Sequence, residues 1–362
     1  MNHIFVLNQM IETAREYWLP LCLLFVDYEK AFDNAEINAV MNTLKSQGVE
    51  DSYIKILVEA NSGYTTDINV FGSPIKIPIA KGVRQGDTIS PKLFAACLES
   101  VFRKISWRGG VNINGDVLTH LRFADDIVIL AKDIQTAQEM LLQLNEESRA
   151  AGLKVNIPKT KCMRSDEGTL TPIQLDGEVV EEVNSFTCLG QVLNMHHKTN
   201  EGIGRRCMAG WRAFNSMKEF LEKLSKPEDR ALLFSSTVVP SMLYGSETWS
   251  LTKSEEHQLA VTESAMERRL LKIKKLYHVR NEDIRQRTRV VGVVLESIKS
   301  KLRWPGHVAR LKDDRWTKKV NDWYPRNHKK PVGRSRRRWN DLMSARLGPM
   351  WRRTAHDLYG NV

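Results

Sequence analysis

Two carboxylates side by side between apolar β-runs constrain this chain more than any other feature. The segment from His120 to Leu130 puts Asp125 and Asp126 at a turn between the apolar runs Leu118–Phe123 and Ile127–Ala131. Adjacent aspartates with apolar flanks repel each other and lose hydration unless a cation neutralises them. An ordinary aspartate-rich hairpin turn has the same local sequence, so the pair alone leaves both readings open. Asp27 shifts the balance, because it too closes an apolar run, Leu21–Val26. A carboxylate from a neighbouring strand completes an all-oxygen donor set of the kind that Mg²⁺ prefers. Two such ions, roughly 3.5–4 Å apart, activate a nucleophile and hold a leaving pyrophosphate. Nucleotidyl transfer is done in this way, by positioning and charge neutralisation.

The surrounding pattern is α+β. Leu21–Val26 reads as a buried strand, and Ala35–Gln47 as an amphipathic helix closed by Gly48. Asp67–Phe71 and Ile75–Ile79 form a hairpin across Gly72-Ser73-Pro74, and Pro91–Ile105 is a helix with proline in its first turn. Ile134–Ala150 is a long helix ended by Gly152, with a strand at Leu153–Ile157. From about residue 199 helical periodicity takes over, with a capping box at Thr252 and Glu255. The expected divisions are 1–195, 196–282 and 283–362. A span of 362 residues, 42% of them hydrophobic, supports two or three folded parts and excludes wholesale disorder.

Charge and cysteine narrow the class further. Residues 300–362 carry 17 Lys and Arg against 5 Asp and Glu, while the rest of the chain is balanced to within one charge. A localised basic block is a footprint for a polyanion, most often nucleic acid, although a solvated basic tail has the same composition. The five cysteines form no CxxC pair, which argues against a disulfide framework or a zinc knuckle and for a reducing compartment. No apolar run is long enough to span a bilayer and no signal peptide precedes the chain, so the expectation is a nuclear or cytoplasmic protein without membrane contact.

Five motifs in order now resemble the reverse transcriptases of non-LTR retrotransposons, and beyond them Leu302–Arg310 and Arg334–Trp339 resemble the C-terminal segment of the RTE-like group of these elements. Phe25-Val26-Asp27-Tyr28-Glu29-Lys30-Ala31-Phe32-Asp33 is similar to their motif A, and Lys81-Gly82-Val83-Arg84-Gln85-Gly86-Asp87-Thr88-Ile89-Ser90-Pro91 to motif B. Phe123-Ala124-Asp125-Asp126 resembles motif C, Ala151 to Lys161 motif D, and Phe186-Thr187-Cys188-Leu189-Gly190 the primer-grip hairpin. The resemblance implies a polymerase palm with a fingers remnant, then a helical thumb and a basic C-terminal segment. It also implies an RNA-directed DNA polymerase that adds dNTPs to a DNA primer on an RNA template with two Mg²⁺ ions.

Residue roles follow from the same resemblance. Asp27 and Asp125 would be direct metal ligands, Asp126 a supporting acid, and the backbone carbonyl of Tyr28 would face a metal. Phe32 would be a steric gate against a 2′-hydroxyl, with a core aromatic as the plainer reading. Gln85 and Gly86 would line the dNTP pocket, where glycine permits close backbone approach. Lys159 would be a general acid near pyrophosphate, or else a plain surface lysine. Arg334, Arg336, Arg337 and Arg338 would contact nucleic acid, and the same run could serve as a nuclear localisation signal. Trp304, Trp316, Trp323, Trp339 and Trp351 could stack on bases or pack a small local core.

Phe32 disfavours an RNA-directed RNA polymerase, and the C-terminal Trp/Arg pattern disfavours a group II intron maturase. The family's full fingers region and upstream endonuclease have no counterpart in this sequence. That leaves a catalytically inactive remnant that binds nucleic acid as the alternative to a working polymerase.

Overall fold

The computed structural model describes residues 1–353 apart from 64, 72, 79–80, 84–85, 166–170, 196–199, 312–313, 327 and 334–336. The chain packs as two units, Leu19–Phe186, and Met1–Trp18 together with the chain from Thr187 onward.

The first unit is built on a five-stranded sheet with spatial order Glu181–Glu182, Lys161–Arg164, Cys22–Val26, Asp126–Ala131, His120–Phe123. All neighbours are antiparallel except Glu181–Glu182 against Lys161–Arg164. All five residues of the Cys22–Val26 strand are buried, so both of its faces are covered, as its unbroken apolar run requires. Cys22, Leu24 and Val26 pack into a core with Leu93, Phe94, Leu98, Leu141 and Leu144 from two helices, Ser90–Lys104 and Ile134–Ala150. On the opposite face Phe25 stacks on Phe186 at 4.2 Å. The Ile134–Ala150 helix starts at a side-chain cap, and an aspartate turn with proline at the first helical positions leads into Ser90–Lys104. Asp87 accepts from Ile89 N–H at 3.1 Å and Asp133 from Thr136 N–H at 2.7 Å. All five cysteines are buried, and none is in a disulfide.

Several elements differ from the sequence reading. The first hairpin runs Thr65–Val70 and Ser73–Pro78 with Ile68 opposite Ile75, and Pro74 and Pro78 are tolerated because the ribbon has only two strands. Leu153–Ile157 is not a strand, since only Val155 bridges Tyr28. The Ala35–Gln47 helix is shorter, Ile37–Ser46. A helix at Asp51–Ala60 was not anticipated. Its Tyr-Ile-Lys-Ile-Leu-Val core looks strand-like, but Ile54 and Leu57, three apart, both pack on the core.

In the second unit the helices Asn200–Lys223, Pro227–Leu243 and Lys253–Leu270 enclose Phe214, Phe234, Val238, Met242, Leu259 and Met266. The capping box at Thr252 and Glu255 is formed. The N-terminal helix Asn2–Tyr17, read from sequence as part of the 1–195 division, belongs to this unit, where Phe5 lies 5.4 Å from Trp304 and 4.9 Å from Trp339. Among the described residues of the 283–362 division, Trp304, Trp339 and Trp351 are buried with Phe5, Val308 and Met343. Apolar packing therefore consumes three of the tryptophans considered for base stacking. Among the described residues no helix is long and apolar enough to cross a membrane.

Candidate active site

The sheet brings the three aspartates to one edge. Val26 pairs with Ile127, so the next residues outward, Asp27 and Asp126, leave the ladder together. Phe123 pairs with Asp126, which makes Ala124 and Asp125 the two residues of a tight hairpin turn. Ala124 adopts φ 54°, a left-handed conformation that costs an L residue about 1–2 kcal/mol. The turn thus holds strain at the position that aims Asp125.

The electrostatics of this edge suit a cation. Partial burial raises the pKa of Asp126 above the ordinary carboxylate value, and the charges of Asp125 and Asp27 raise it further. Asp126 remains solvent-exposed at the rim, which moderates the burial contribution. Asp27 Oδ2 is buried and accepts no hydrogen bond, and the Lys159 ammonium stands 3.7 Å away. An orphaned carboxylate oxygen beside two more carboxylates is a donor set that fits a hard divalent ion. Among the described residues no three metal-donor side chains close into a ready cage, so the arrangement is an open edge rather than a closed site.

A loop behind Asp27 fixes its backbone. Asp27 C=O accepts from Asn156 N–H at 2.8 Å, and Glu29 N–H donates to Lys154 C=O at 2.9 Å. These two bonds flank the Tyr28–Val155 bridge, so Tyr28's own N–H and carbonyl stay outside that ladder. The buried Thr160 hydroxyl accepts from Asp27 N–H at 3.4 Å and donates to Asn156 C=O at 2.8 Å. Asn156 Oδ1 also accepts from Lys159 N–H at 3.2 Å, which sets the start of the Lys159 side chain. Tyr28 points its ring into the core, where its hydroxyl meets Ser148 at 2.7 Å; burial pushes that phenol above its ordinary pKa.

Phe32 is half-buried, its ring 4.7 Å from that of Phe94. The 81–83 stretch lies on the turn that carries it: Val83 N–H donates to Phe32 C=O at 2.7 Å and Gly82 N–H to Ala35 C=O at 3.0 Å. Gly82 has φ 98°, and a Cβ there would sit 2.6 Å from Asp33 C=O, so only glycine allows this approach. Gly86 has φ 91° with nothing within 4 Å of where a side chain would be, which leaves open space beside it. Gln85, Arg334 and Arg336 lie outside the described residues.

The described residues of the basic run do not stand free. Arg337 lies 3.5 Å from Glu256, and Arg338 lies 3.1 Å from Glu16 and 3.0 Å from Asp341. Of the four guanidiniums assigned from sequence to nucleic acid, the two described, Arg337 and Arg338, are therefore held in intramolecular ion pairs. Asn156, Thr160 and Gly82 were not singled out from sequence. The only local signal for them is the Asn-Ile-Pro-Lys-Thr turn composition and the glycine itself.

The family model described as reverse transcriptase (RNA-dependent DNA polymerase) matches residues 4–193. A transposon-derived protein of Caenorhabditis elegans is 37% identical over 261 residues, covering 70% of this chain and 91% of that one. A Pol polyprotein from the type-1 retrotransposable element R2 of Popillia japonica is 26% identical over 267 residues, 68% of this chain and 36% of the polyprotein. That of the type-2 element R2DM of Drosophila melanogaster is 24% identical over 155 residues, 42% of this chain and 15% of the polyprotein. The chain thus spans well under half of each R2 polyprotein.

Proposed function

The chain belongs to the reverse transcriptase family of non-LTR retrotransposons, and from that premise we propose that it extends a DNA primer with dNTPs along an RNA template, through the edge formed by Asp27, Asp125 and Asp126. The observation that carries the reading is the convergence of these three carboxylates at the end of two paired strands, with Asp27 Oδ2 buried and unbonded. In the reaction the primer 3′-oxygen bonds to the α-phosphorus of the nucleotide while the bond to pyrophosphate breaks. Asp27 and Asp125 would hold two Mg²⁺ ions, with Asp126 in support and the Tyr28 carbonyl as a further oxygen. When bound, these ions lower the pKa of the primer hydroxyl and neutralise charge on the leaving group.

The remaining roles belong to the chain itself. Lys159, already 3.7 Å from Asp27, donates a proton to the departing pyrophosphate. Phe32, backed by Phe94, presents a ring edge that a 2′-hydroxyl would strike. The open space at Gly86 and the neighbouring Gln85 receive the nucleotide. Asn156 and Thr160 act as positioning residues, because they hold the backbone of Asp27 and the root of Lys159. The test is extension of a DNA primer on an RNA template with Mg²⁺ and either dNTPs or rNTPs. Extension with dNTPs and little with rNTPs supports the reading; none with either leaves a nucleic-acid-binding remnant.

A further inference from the structure

The sequence count locates the positive excess in residues 300–362, but much of that charge is committed within the second unit. The Lys301 ammonium is buried and donates to Trp249 C=O at 2.7 Å. Lys330 meets Glu16 at 2.7 Å, Lys319 meets Asp314 at 2.7 Å, and Arg337 and Arg338 are paired as described. A different stretch of the same unit has the opposite character. From Arg268 to Asn281 there are six Lys and Arg and no Asp or Glu. Among the described residues Lys272, Lys274, Lys275 and Arg280 form no ion pair, and all four are exposed.

This stretch is a shaped loop. Lys272 and His278 take left-handed φ of 55° and 48° and turn the chain at either end of the short helical turn Lys275–Tyr277. Arg268 closes the loop with hydrogen bonds to Val279 C=O at 2.8 Å and Asn281 Oδ1 at 2.7 Å. Between the cations two apolar side chains face solvent, Leu276 at 78% and Tyr277 at 59% exposure. Unpaired cations for phosphates beside an exposed ring for a base is the combination that binds single strands, because a duplex hides its base faces.

We propose that the Lys272–Arg280 loop is a binding platform for single-stranded RNA, separate from the aspartate edge. Lys272, Lys274, Lys275 and Arg280 take the phosphates and Tyr277 stacks on an unpaired base. The choice of nucleic acid over another polyanion rests on the polymerase reading.

The full chain is titrated into a fluorescent single-stranded RNA 20-mer, the same sequence as DNA, and an RNA–DNA duplex of equal length, with anisotropy read over a range of salt. A Lys272→Gln, Lys274→Gln, Lys275→Gln variant is expected to lose about 10- to 100-fold in affinity for the single strand at about 0.1 M salt. Its log–log salt slope should shrink by about 2, at roughly 0.7 per phosphate contact. Tyr277→Ala is expected to lose about tenfold with the slope unchanged. Thermal unfolding confirms that both variants fold. Unaltered single-strand binding in both variants overturns the platform, and an equal loss on the duplex overturns its assignment to single strands. Stronger loss on DNA than on RNA overturns the assignment to RNA. Primer extension by the unmodified chain separates the two ideas: its absence sinks the polymerase reading, whereas the binding series judges the platform alone.

Discussion

At the scale of single residues, the aspartate edge makes the sharpest demands. Asp125→Asn keeps the size of the side chain but removes a charge that also raises the pKa of Asp126. Primer extension by this variant is expected to fall about 1000-fold, which is the effect of losing several kcal/mol of charge stabilisation at about 1.4 kcal/mol per tenfold. A loss under tenfold would remove Asp125 from the site. Phe32→Val shortens the proposed gate, and the ratio of dNTP to rNTP incorporation is expected to drop about 10- to 100-fold, equivalent to about 1.4–2.8 kcal/mol. An unchanged ratio accompanied by a lower melting temperature would leave Phe32 as a core aromatic packed on Phe94. The meeting of the three aspartates at one edge of the sheet was legible in sequence because each adjoins an apolar β-run. Asn156 and Thr160 were not, because their bonds reach a backbone about 130 positions away, which no local pattern encodes.

At the scale of elements, the two features that position the site are places where the backbone is forced. Gly82→Ala places a methyl 2.6 Å from the Asp33 carbonyl at φ 98°, so it is expected to cost about 2–3 kcal/mol, read as a fall in melting temperature. A neutral result would show that the 81–83 stretch does not rest on the Phe32 turn. The helices Ser90–Lys104 and Ile134–Ala150 were legible almost to the residue, because proline marks the first turn of one and Gly152 follows the end of the other. Leu153–Ile157 reads as a strand by composition, yet its backbone is taken up by Asp27 and Glu29 through two hydrogen bonds, and only Val155 bridges. That long-range use of a short apolar segment turns an apparent strand into a support for the site.

At the scale of the whole molecule, the lesson concerns charge. Counting Lys and Arg along the chain points to its C-terminal end, whereas folding pairs several of those cations with Glu16, Glu256, Asp314 and Asp341 and leaves Lys272, Lys274, Lys275 and Arg280 without ion pairs among the described residues. The second unit also buries ionisable groups that make its stability depend on pH. Burial pushes Glu263 up to about 7 from an ordinary 4.5, even with Val293 N–H donating to it at 2.7 Å. The folded state keeps a proton that the unfolded chain releases, so this stabilisation is present below about pH 4.5 and is lost as pH rises through 7. Lys301, depressed to about 7 by burial, works in the other sense, and its contribution is lost as pH falls through 7. Glu263→Gln keeps the acceptor and removes the charge. It is expected to stabilise the protein by roughly 3 kcal/mol more at pH 8 than at pH 4, measured by chemical denaturation. An equal effect at both pH values would contradict that account.

The central claim is that this chain is a polymerase working through its aspartate edge. The measurement that tests it most directly is incorporation of dTMP on poly(A)/oligo(dT) with Mg²⁺, comparing the chain with its Asp125→Ala, Asp126→Ala double variant. The account predicts incorporation by the chain and none above background by the variant, with both proteins equally folded. Incorporation that survives the double substitution, or none by either protein while both bind the template alike, would contradict it.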